Sequence, residues 1–262
     1  MCRQGLEHLC RDVNGTNYIG FVCNGAYAEY FAGKVNNAYL LPDNVTDIAA
    51  ACIDPLMVAY HAVRKAGIRL GDSVLVSGNG IIGNMLGELA KKNGASFVAL
   101  SKLNDIKLAP TKKAGFFDAY FTATDANIKE QVREASKGGF DIAFEAVGVE
   151  NSLATCIEAV KSGGTVVMIG NSISETIPVN INRAVLQEVR LLGSVSCTRD
   201  EFNGTIDIIA NGTIDPEEYV TDIIALDDLQ KTFRLCILPV SSRIPTHCSL
   251  TTNDGKIPDL VS

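Results

Sequence analysis

The sequence has 262 residues, 47% of them hydrophobic and 20% charged, with a formal net charge of −7; that balance suits one or two packed domains and excludes a disordered chain. The acidic surplus, with no long run of Lys or Arg, argues against nucleic acid as a partner. No apolar stretch approaches the ~20 residues that span a bilayer, and nothing behind Met1 reads as a signal core, so a cytoplasmic protein without a membrane partner is expected, its eight cysteines reduced.

Residues 1 to 48 are rich in Gly, Asn and Tyr. Apolar bursts at 18–22, 28–31 and 39–41, separated by Asn14-Gly15, Asn24-Gly25 and Pro42-Asp43-Asn44, predict short antiparallel strands and loops. From residue 47 the apolar spacing turns helical, and Pro55 divides it into two short helices.

Beyond Asp72 strands and helices alternate. Strands are expected at 73–76, 97–100, 118–121, 141–144, 165–169 and 190–193. Helices are expected at 82–92, 126–136, 150–160 and 183–188, with a weaker one between Leu100 and Ala114. Near-continuous apolar strands spaced by helices imply an α/β fold: a doubly wound parallel sheet of the Rossmann type. Two further helices are expected at 200–210 and 227–234, whereas the tail 236–262, with Pro239, Pro245 and Pro258, argues against regular structure.

The first strand runs into Gly78-Asn79-Gly80-Ile81-Ile82-Gly83 and then a helix. This is G-x-G-x-x-G in its required context. Gly78 permits a tight turn, Gly80 lets a pyrophosphate approach the backbone, and Gly83 lets helix and strand pack closely. Free amides at the helix start face the phosphates. Where an acidic residue about 20 positions on would bind the ribose of NAD, the sequence has Ser101 and Lys102, with Lys107 following. A hydroxyl and two ammonium groups attract a 2′-phosphate, so NADP(H) is expected in preference to NAD(H); the alternative is a solvated lysine pair and use of NAD.

The run from Gly71 to Gly83, the segment Phe140-Asp141-Ile142-Ala143-Phe144-Glu145-Ala146-Val147-Gly148, the segment from Gly163 to Gly170 and the segment from Gln187 to Ser194 together resemble the zinc-dependent medium-chain dehydrogenase family. The sorbitol, threonine and butanediol dehydrogenase branches are the most similar in flavour. The resemblance implies oxidation of a secondary alcohol, diol or polyol, or reduction of the ketone, by hydride exchange with NAD(P), with zinc polarising the alcohol. It places Ile82 at the pyrophosphate, Ser101, Lys102 and Lys107 around the adenosine ribose, and Gly170, Asn171, Val195 and Ser196 near the nicotinamide. It also implies a homo-oligomer.

By the same resemblance Cys2 and Cys10 are remnants of a structural zinc lobe that needs four thiolates. Asp54 matches an acidic residue at the catalytic zinc, or alternatively caps a helix. The family's other catalytic ligands, a Cys and a His-Glu pair, lie upstream of that lobe in a region not found in this sequence, which is therefore read as N-terminally truncated. His61 is a poor replacement for them, and Ser196-Cys197 stands where polyol-specific relatives carry an Arg.

The expected organisation is a partial, β-rich GroES-like catalytic domain at 1–62, the Rossmann domain at 63–200, and a return to the catalytic domain at 201–262. The rival readings are a catalytically inactive module that binds NADP(H), and a zinc-free quinone or enoyl reductase.

Overall fold

A computed structural model of the protein describes residues 4–10, 19–20, 23–103, 115–172, 174–237 and 248–251. The chain divides into two compact units, Pro55–Cys197 and a second made of Met1–Asp54 with Thr198–Ser262. Among the described residues no helix is long and apolar enough to cross a membrane.

The Pro55–Cys197 unit is built on six strands: β1 Ser73–Ser77, β2 Phe97–Lys102, β3 Ala119–Thr122, β4 Phe140–Glu145, β5 Val160–Met168 and β6 Arg190–Gly193. They lie in the order β3-β2-β1-β4-β5-β6, and every neighbouring pair is parallel. This is the doubly wound arrangement expected from the alternation. Strands buried on both faces must be apolar throughout, and Val74, Leu75, Val76, Val98, Ala99, Leu100, Ala143 and Phe144 are fully buried. Phe140 stacks on Phe97 with ring centroids 6.0 Å apart. One side of the core joins Leu75, Phe140, Ile157 and Val166, each contributing about 1.5–3 kcal/mol by burial.

Helices α1 Asp47–Ala51 and α2 Ile53–Ala66 meet at Cys52. The helix break predicted at Pro55 falls three residues earlier, because Pro55 sits in the first turn of α2, where no amide is needed for the ladder. Helix α3, Ile81–Lys92, follows β1; α4, Ile128–Ala135, precedes β4; α5, Glu150–Ala159, links β4 to β5; and α6, Ile181–Leu186, links β5 to β6. The helix expected between Leu100 and Ala114 lies outside the described residues. Strand β5 begins at Val160, earlier than the apolar run suggested, since its Phe140 pairing precedes a register shift that accommodates the Lys161–Gly164 stretch.

In the second unit, α7 Arg199–Ala210 and α8 Leu229–Ile237 are joined by strand β7, Asp222–Ala225. Val45, Ala49, Ile206, Ile209, Ile214 and Tyr219 are buried there. The antiparallel strands predicted before residue 48 do not form among the described residues. The segments 28–31 and 39–41 are irregular, and 19 and 23 share only a parallel bridge. Their aromatic rings pack on helices instead of pairing in a ladder: Tyr39 lies 4.2 Å from Phe202 of α7, and Tyr27 lies 6.2 Å from Phe233 of α8. The tail holds a short strand, β8 Cys248–Thr251, paired in parallel with β7, contrary to expectation. Its prolines lie on either side of these four residues, so no ladder amide is lost.

Candidate nucleotide-binding site

The β1–α3 turn carries the motif. Gly78 has φ +114°, a conformation that L side chains rarely adopt, and its N–H donates to Ser101 O at 2.9 Å. A Cβ on Gly83 would collide with Gly78 O, so only hydrogen fits where helix meets strand. Around Gly80 a Cβ would meet nothing within 4 Å, which leaves the backbone approachable. Gly80 is the N-cap of α3 and offers no capping side chain. The amides of Ile81, Ile82 and Gly83 precede the first i→i−4 bond, from Asn84 N–H to Gly80 O at 3.0 Å. Asn79, buried between the glycines, has an Nδ2 without a hydrogen-bond partner among the described residues. Donors and a helix dipole converge where an anion would fit.

The other candidates of this unit come from the same C-terminal rim of the sheet. Ser101 and Lys102 end β2, and both are buried. Lys102 Nζ donates to Thr122 Oγ1 of β3 at 3.3 Å, so this lysine is packed at the strand end and does not stand in solvent as one of a surface pair. Gly170 and Asn171 follow β5, and Gly170 N–H donates to Glu145 O at 3.0 Å. Val195 and Ser196 follow β6; Val195 is exposed and Ser196 has φ +51°. Parallel strands necessarily bring these loops to one edge, where doubly wound sheets bind ligands. Lys107 and Cys2 lie outside the described residues.

Asp54 and Cys10 belong to the second unit. Asp54 is exposed in the first turn of α2, and Cys10 follows a short 3-10 turn, Glu7–Leu9. Among the described residues no three of His, Cys, Asp and Glu gather to hold a metal ion. The described residues alone therefore do not make up a zinc ligand set. Cys156 is not a reactive thiol: it is fully buried, and burial, aided by the Glu145 carboxylate, drives its thiol far up into the neutral form.

The motif alone assigns Glu145 no role, yet the structure buries it at the end of β4, paired with Ser77 of β1 and hydrogen-bonded by Ser152. The signal was present in the sequence: an acid directly after the apolar run Ile142-Ala143-Phe144, followed three residues later by Gly148.

The chain matches the family described as "Zinc-binding dehydrogenase" over residues 82–211. It is 29% identical over 243 residues to an L-threonine 3-dehydrogenase of Idiomarina loihiensis, an alignment covering 93% of this chain and 70% of that protein. It is 30% identical over 223 residues to an (R,R)-butanediol dehydrogenase of Neisseria gonorrhoeae, covering 85% of this chain and 62% of that protein. Among solved structures, a zinc-binding dehydrogenase from Sinorhizobium meliloti bound to NADP superposes with a TM-score of 0.83 at 25% identity, covering 95% of this chain and 71% of that one. These relatives are named as dehydrogenases, which does not favour a module without activity.

Proposed function

The chain belongs to the zinc-dependent medium-chain alcohol and polyol dehydrogenase family, and on that premise we propose that it binds a nicotinamide dinucleotide across the sheet rim and exchanges hydride with a small secondary alcohol, diol or polyol, or with the corresponding ketone. The observation that carries this reading is the glycine turn, whose Gly78 φ and blocked Gly83 Cβ leave a side-chain-free approach to the first amides of α3. Gly78, Gly80, Ile82 and Gly83 take the pyrophosphate. Gly170, Asn171, Val195 and Ser196 are assigned to the nicotinamide, a reading supported by their position after β5 and β6 on the same rim. The described residues supply no zinc ligand set, so they carry the nucleotide half of the reaction only, with Asp54 assigned to the metal's surroundings.

NADP(H) is the proposed partner in preference to NAD(H), on the strength of Ser101 and Lys102 at the end of β2. The Lys102 ammonium, held against Thr122, would face a 2′-phosphate with favourable charge where a carboxylate would repel it. Association of copies is proposed through β6, a terminal strand of the sheet with exposed ends, and α6, which exposes Ile181, Val185 and Leu186. The proposed compartment is the cytoplasm, where buried thiols such as Cys52 and Cys156 stay reduced.

Calorimetric titration with NADPH and NADH tests the reading. Saturable binding is expected, tighter for NADPH, with Lys102→Asp reversing the order by about tenfold or more, the worth of one strong charged contact. A chain that takes up neither nucleotide defeats the assignment; tighter binding of NADH by the unaltered chain defeats only the NADP(H) preference.

A further inference from the structure

The dinucleotide reading gives no role to the buried Glu145. Glu145 Oε1 accepts three hydrogen bonds, from the Val147 and Gly148 amides at 2.9 Å each and from Ser152 Oγ at 2.6 Å. Because the Ser152 proton is committed to the carboxylate, the 2.8 Å contact between Ser77 and Ser152 has Ser77 as its donor. The Glu145 main-chain carbonyl in turn accepts from the amides of Ile169 and Gly170, at 2.8 and 3.0 Å. One residue thus joins the ends of β1, β4 and β5 to the first turns of α5.

The turn it holds is the one on which the glycine loop leans. A Cβ on Gly78 would lie 3.0 Å from Val147 Cγ2 and 3.2 Å from Ala146 O. On the other side Gly148 and Gly170 approach so closely that a Cβ on either would collide with backbone, of Asn171 and of Gly148 respectively. The pyrophosphate loop and the segment assigned to the nicotinamide therefore rest against opposite sides of residues 146–148. Two adjacent amides turned onto one oxygen form a small anion nest, here filled by the protein's own carboxylate. Without that acceptor the buried Gly148 N–H and the part-buried Val147 N–H would lose their partner, and the turn would lose the interaction that selects its conformation.

We propose that Glu145 is a positioning residue of the nucleotide cleft: by holding the Val147–Gly148 turn it sets the spacing between the Gly78 loop and the Gly170–Asn171 segment. The proposal rests on the dinucleotide reading, and Glu145 acts through the turn. Its role depends on the acceptor oxygen more than on bulk, which separates it from a residue that merely fills the core.

The test compares Glu145→Ala, Glu145→Gln and Ser152→Ala in the full chain, by NADPH fluorescence titration and by amide hydrogen exchange at Val147 and Gly148 without nucleotide. Glu145→Ala is expected to weaken NADPH binding about tenfold or more and to speed exchange at those two amides by a similar factor, as loss of a charged acceptor implies. Glu145→Gln keeps an acceptor oxygen and is expected within about threefold of the unaltered chain. Ser152→Ala removes one donor of three and falls between, keeping the test alive if Glu145→Ala does not fold. Unchanged exchange at Val147 and Gly148 in Glu145→Ala and Ser152→Ala overturns the proposal. So does protection that falls evenly over β1 and β4 with NADPH affinity intact, the mark of a purely structural role. If the unaltered chain binds neither NADPH nor NADH, the dinucleotide reading fails and takes the cleft role with it; local release at the two amides would then still show that Glu145 holds the turn, so the two failures are told apart.

Discussion

Gly83 shows how little room the cradle has. Its missing Cβ would strike Gly78 O, and the next obstacle, the Gly78 carbonyl carbon, lies at 2.9 Å. Backbone cannot yield as a flexible side-chain end can, so Gly83→Ala must push α3 away from β1. We expect a loss of about 1–3 kcal/mol in stability, the usual cost of overpacking, together with weakened nucleotide binding. Thermal melts with and without NADPH check this; a variant with an unchanged midpoint and unchanged NADPH shift would refute it. Lys102 illustrates the opposite case. Its charge and position at the end of β2 were readable from the sequence, whereas its burial against Thr122 was not, because β3 reaches that site only through the parallel pairing of Lys102 with Thr122.

At the scale of elements, local chemistry decided boundaries in both units. Apolar runs without alternation became β1, β2 and β4, and α7 starts where Thr198 and Glu201 form a reciprocal cap. Thr198 Oγ1 accepts from Glu201 N–H at 3.2 Å, while Thr198 N–H donates to Glu201 Oε2 at 2.9 Å. Thr198→Ala is expected to cost about 1 kcal/mol and Thr198→Ser almost nothing, since serine caps as well. Urea unfolding midpoints distinguish the two, and equal loss in both variants would mean that the methyl group matters and the cap does not. The described segments before residue 48 depart from the expected strands for a physical reason: a strand is stable only with a partner, and Tyr27 and Tyr39 pack on helices instead.

For the molecule as a whole, the acid limit of stability has a named contributor. Asp141 is partly buried, which opposes its charge. The Lys161 ammonium and the two donors of Ser73, N–H and Oγ–H at 2.9 Å each, outweigh burial and hold its carboxyl below the ordinary range. A carboxyl lowered in the folded state adds stability that is complete above its unfolded pKa and disappears as pH falls through the folded one. Asp141→Asn should therefore be less stable than the unaltered chain near pH 7, with the gap shrinking below the carboxylate range of about 4. Urea midpoints across that window report it; a gap that widens in acid would contradict the assignment. The contact joins β1, β4 and β5 at the edge of the sheet opposite the glycine loop, so nucleotide binding should be little affected.

Strand alternation, the glycine spacing and the motif runs specified a doubly wound sheet and the rim on which its loops gather, because parallel strands joined by right-handed crossovers must bring all their C-terminal ends to one edge. Tertiary structure alone decided what those ends do to each other: that Glu145 folds back onto the Val147 and Gly148 amides, that Lys102 is buried, and that Gly148 meets Gly170 backbone to backbone. Such contacts join residues far apart in sequence, and their energies depend on distances of a few tenths of an ångström, which residue order does not encode locally.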